Sequence, residues 1–165
     1  AHYPAWALEQ PQAEIDALIG SNLLSVVHGL RAGIDYLRRH GGGRIVTVGQ
    51  LVPAYLPQAG DALYAATHHG QRAYHESVAA EYRSATLRFS YICAGPAAGS
   101  STSGTTALPT VEPSAIAAAV LRAADDDLAH FVVAQGRHRW LRLVSGFPGA
   151  AARLAARLRA RPAPP

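Results

Sequence analysis

What most constrains this chain is a change of period. Short β-branched or aromatic runs are set between long stretches whose apolar residues recur every three or four positions. Leu23, Val26, Val27, Leu30, Ile34 and Leu37 make the first such stripe, that of a helix lying on a core. Gly41-Gly42-Gly43 stops it, because glycine takes the left-handed conformations that end helices. Arg44 to Val48 then reads as a buried strand. A Pro/Gly-containing loop from Leu51 to Asp61 leads to a second helix over about Ala62 to Arg83, and Leu87 to Cys93 is the next strand. Ser, Thr and Gly crowd the loop from Gly99 to Thr110. Glu112-Pro113 opens a helix over Ser114 to Ala124, and Phe131 to Val133 is a third strand. Strands alternating with helices of this length make an α/β domain with parallel strands, since parallel neighbours need a crossover between them.

Composition narrows the class. The 165 residues suit one domain with a real core, and 49% hydrophobic against 16% charged argues for a folded chain. No apolar run in the sequence approaches the roughly 20 residues of a membrane span. The N-terminus shows no secretory signal. The lone cysteine, Cys93, excludes an internal disulfide and reads as a small core residue, so a cytoplasmic, reducing compartment is expected. All 15 basic residues are arginine, so no mechanism that needs a lysine ammonium runs on these residues alone.

Three local features follow one another in order along the chain. Asn22 stands at the head of the first long helix, Gly43-Arg44-Ile45-Val46 forms the strand, and Tyr64-Ala65-Ala66 follows a Pro/Gly loop and opens a helix. Glu81, the strand Leu87-Arg88-Phe89 and the Glu112-Pro113 helix continue the order. From about Asn22 to Val133 the chain resembles the short-chain dehydrogenase/reductase family. The resemblance implies a Rossmann-like α/β fold, here the C-terminal half of a doubly wound parallel sheet of about three strands with flanking helices. Residues 1–20 are read as a loop leading into the first helix, 21–136 as the half-domain and 137–165 as a basic helical tail.

The resemblance also implies a site. Tyr64 takes the place of the family's acid/base tyrosine and Asn22 that of its asparagine. The serine that bonds the substrate oxygen falls at Gln50, and the lysine one turn after the tyrosine is His68. A phenol has a pKa near 10 and needs a neighbouring cation to act near neutrality. Histidine is mostly neutral at pH 7, and burial lowers its pKa further. Gln50 keeps an amide donor, so the serine role survives weakly, but severe loss of activity is expected.

The family's Pro-Gly after the second strand is Ala94-Gly95, and its threonine aligns near Gly99, beside Ser100. Gly95 and Ser100 are thus the weak cofactor-side positions, and NAD(P) is the cofactor implied. The glycine-rich phosphate loop is missing, and with it the nucleotide-binding first half, as if the chain began just after the family's preceding strand. An oxidoreductase whose nucleotide-binding half lies outside this chain is the alternative.

Without that preceding strand, the strand at Arg44 has an open edge, which predicts a homo-oligomer or a partner chain covering it. The remaining motifs favour plain readings. His68, His69 and His75 lack metal-ligand spacing, so no metal is expected. Asp125-Asp126-Asp127 reads as a helix end. Arg153, Arg157 and Arg161 fall on one helical face, read as packed on its own domain ahead of a membrane surface or interaction module. Arginines without interleaved aromatics argue against nucleic acid.

Overall fold

The computed structural model describes residues 1–51, 56–57, 59–99, 110–125 and 129–133. Helix α1 (Gln12–Leu18) continues through a π-helical turn (Ile19–Leu24) into α2 (Ser25–Arg39). Strand β1 (Gly43–Gln50), helix α3 (Ala62–Tyr82), strand β2 (Leu87–Ala94), helix α4 (Pro113–Asp125) and strand β3 (His130–Val133) follow. The strands form a parallel sheet in the order β1-β2-β3, so the chain has the Rossmann-like alternation expected of it.

Two expectations need correction. The lead-in is not a loop as far as residue 20, because the helix begins at Gln12. Proline fixes a φ of −64° at Pro11, whose carbonyl accepts the amides of Glu14 and Ile15 at 3.0 and 3.1 Å. Asn22 therefore does not head the helix but sits inside the π turn. There the Ser21 hydroxyl donates back to the Ala17 carbonyl at 2.7 Å, competing with the regular ladder. The unbroken helix Gln12–Arg39 is also, by length and composition, apolar enough to cross a membrane, which the residue-by-residue reading of the sequence did not show. Its apolar stripe is used here against the sheet.

Side chains alternate across β1 and β2 and fill two cores. Leu30 and Ile34 of α2 meet Val78 and Ala79 of α3 over Leu87 and Phe89, with Ile45 of β1 packed beside them. On the opposite face Ile92 meets Ala119 and Ala123 of α4, with Val46 and Val133 alongside. The sheet is thus covered by α2 and α3 on one face and by α4 on the other. β1 pairs with β2 from Gly43 opposite Leu87 to Gln50 opposite Ala94. Among the described residues it pairs with no other strand, and Val48 on it is 45% exposed.

The turn into β1 depends on glycine. Gly42 has a φ of +103°, and a Cβ there would run into the Thr86 carbonyl. Its amide caps the end of α2 on the Leu37 carbonyl at 2.8 Å, and the next amide, Gly43, bonds Thr86 at 2.7 Å. This closure sets the register that carries Gln50 to the C-terminal end of the sheet.

Candidate functional site

Asp61 precedes α3, and the first three turns of that helix carry Tyr64, Thr67, His68 and Gln71, all buried. Residues at three- and four-residue steps share a helix face, so the sequence Tyr64, His68, Gln71, His75 presents one polar line toward β1 and β2. Tyr64 is 5% exposed and meets the edge of the His68 ring with centroids 4.6 Å apart. The His2 ring also lies against it, centroid 4.4 Å away, and its Nε2 is 3.0 Å from Asp61 Oδ1. The phenol therefore contacts two imidazoles.

Asn22 is brought to the same place. Its amide nitrogen donates to the Ala1 carbonyl at 2.9 Å and to Thr67 Oγ1 at 3.4 Å, and its Oδ1 accepts from the Ala1 backbone nitrogen at 2.7 Å. Thr67 in turn donates to the Tyr64 carbonyl at 2.8 Å. The asparagine thus ties the start of the chain to α3 rather than reaching into open space.

His68 Nδ1 lies 3.3 Å from Gln71 Oε1, which also accepts the Tyr91 hydroxyl at 3.0 Å. Farther along α3, His75 Nδ1 is 2.9 Å from Thr47 Oγ1, and its ring stands 5.3 Å from that of Tyr91. His75 therefore ties α3 to β1 through Thr47.

Burial shifts both titratable groups of this pair. Burial, and after it the Asp61 carboxylate, push the Tyr64 pKa well above the ordinary phenol range. His68 is pushed down to about 4, chiefly by burial. The Gln71 hydrogen bond opposes that shift without cancelling it, and the Ala1 ammonium, then His2 and His69, add to it. At neutral pH the site therefore holds a protonated phenol beside an uncharged imidazole.

The short chain dehydrogenase family model matches residues 4–107. The chain belongs to the short-chain dehydrogenase family. Solved members confirm the fold. A short chain dehydrogenase from Burkholderia cenocepacia, solved in complex with NADP, superposes with a TM-score of 0.76 at 20% identity, covering 95% of this chain and 64% of that one. A metagenomic short-chain oxidoreductase, also in complex with NADP, gives 0.65 at 26% identity over 80% of this chain and 56% of that one. A short-chain dehydrogenase from Novosphingobium aromaticivorans gives 0.71 at 20%, covering 100% of this chain and 58% of that one. This short-chain dehydrogenase chain thus spans between 56% and 64% of the length of these three relatives. No curated protein matches it.

Of the residues expected at the site, Asn22, Tyr64 and His68 come together. Gln50 ends β1 opposite Ala94, half-buried. Gly95 is buried and its amide donates to the Val133 carbonyl at 2.8 Å. Ser100, Trp140, the tail 137–165 and most of the 99–110 loop lie outside the described residues.

The described residues do not fit the ribose end of NAD(P) in the family's manner. His68 is 8% exposed with Nδ1 turned to Gln71, and His2 covers Tyr64. Four contributors escaped the sequence reading: His2, Asp61, Gln71 and Tyr91. Only one carried a signal, since glycine inside a strand, here Gly49, marks a close approach by another group. That group is the Tyr91 hydroxyl.

Proposed function

We propose that this chain is a short-chain dehydrogenase domain in which Tyr64 no longer works as an acid/base catalyst, and that the site is impaired or inactive in redox chemistry. The observation that carries this reading is the pairing of Tyr64 with His68. The phenol is buried and held protonated, and the residue one turn later is an uncharged imidazole in place of a cation. A proton held this firmly is not released to or taken from a substrate near neutrality. Gln50 in place of a serine removes the hydroxyl that would orient a substrate oxygen, leaving only an amide donor.

The test is steady-state turnover of NADH and NADPH with simple ketones and secondary alcohols. No turnover is expected from the chain. The pair Gln50→Ser and His68→Lys, made together, is expected to raise any residual rate. Sustained turnover by the unaltered chain overturns the reading.

A second reading is supported by the length comparison. The chain spans at most 64% of the three members described above, and in this reading it is an oxidoreductase whose nucleotide-binding half lies outside these residues and would hold most of NAD(P). In that case quenching of Trp6 fluorescence by NADPH appears only when that half is present. The open edge of β1, with Val48 on it, supports pairing with a second copy or a partner chain.

A further inference from the structure

A small buried arrangement behind His68 decides where that ring keeps its proton. Gln71 Oε1 is a carbonyl oxygen and can only accept. It takes the Tyr91 O–H at 3.0 Å on one lone pair. His68 Nδ1 lies 3.3 Å from the same oxygen. A bare Nδ1 would set two lone pairs against each other inside a buried site, which favours the tautomer with the hydrogen on Nδ1. Gly49 makes this arrangement fit. A Cβ at position 49 would overlap the Tyr91 hydroxyl and stand 2.8 Å from Gln71 Oε1.

We propose that Gln71 and Tyr91 are positioning residues that lock His68 as the Nδ1–H imidazole, leaving Nε2 as a hydrogen-bond acceptor at the Tyr64 site. A lysine at this position would offer only donors. The site therefore has the opposite polarity there and suits an uncharged O–H or N–H donor in place of a group that needs a cation. The ring is neutral at pH 7, so a single hydrogen is shared between its two nitrogens and the assignment of one fixes the other. This deepens the reading of the Tyr64 site given above. It depends on the position of one proton and not on turnover, so the two fail separately.

The experiment is nitrogen-15 NMR of histidine-labelled chain at pH 7, with His68 assigned by the signal lost in His68→Asn. The unaltered chain is expected to show Nδ1 protonated and Nε2 bare. Tyr91→Phe keeps the ring against His75 and removes only the hydroxyl, which frees the Gln71 amide to turn. Its His68 signals are expected to move toward the average of the two tautomers while the His75 signals stay in place. Nε2 protonated in the unaltered chain, or a His68 ring that Tyr91→Phe leaves unchanged, overturns the proposal. The first measurement needs no variant, so it decides even if Tyr91→Phe fails to fold.

Discussion

Gly49 has no room for a side chain. The Tyr91 hydroxyl occupies the space its side chain would need. Gly49→Ala is therefore expected to cost about 1–3 kcal/mol, the usual penalty for overfilling a packed interior. Urea denaturation measures it, and a loss below a few tenths would contradict the close approach. His68 sets a second prediction at this scale. Unfolded, it binds a proton below its ordinary 6.5; folded, it resists until about 4. The stability it contributes is present above pH 6.5 and lost as pH falls through that window, about 3 kcal/mol in all. Urea melts at pH 7 and pH 4.5 should show a steeper decline for the unaltered chain than for His68→Asn. Equal declines would mean that His68 is not buried as described.

At the scale of elements, the junction from α2 to β1 concentrates the strain. Gly42 combines a φ of +103° with a carbonyl where a Cβ would stand. Gly42→Ala should cost about 1–3 kcal/mol in thermal or urea unfolding, as residues forced into such backbone conformations do. An unchanged midpoint would contradict the tight turn. Most elements were legible because periodicity and glycine punctuation report local preference. Gly41-Gly42-Gly43 marked the end of α2, and the β-branched run after it marked β1. The lead-in misled because Pro11 looks like a breaker, yet proline is well suited to open a helix. Asn22 was placed in sequence but not in geometry, since no composition rule announces a π turn.

For the whole molecule, the main consequence of the strand order is that β1, among the described residues, is paired on one side only. A parallel strand with a free edge offers unpaired amides and carbonyls to another chain. Self-association at micromolar concentration is expected in sedimentation, and Val48→Lys should shift it toward monomer. A monomer at every concentration would contradict this. The polar cluster shows why the site was only half legible. Tyr64, His68 and Asn22 were found by the resemblance to the family, position by position. His2 and Asp61 are 59 residues apart and Gln71 and Tyr91 are 20 apart, and only folding brings them together. No local pattern encodes such pairs.

The central claim is that the Tyr64 phenol is held protonated by burial and, after it, by the Asp61 carboxylate. The ultraviolet pH titration of the unaltered chain minus that of Tyr64→Phe isolates that one group. No phenolate signal from Tyr64 is expected up to the ordinary phenol pKa of about 10. Ionisation of Tyr64 near pH 8 in the folded chain would contradict the account.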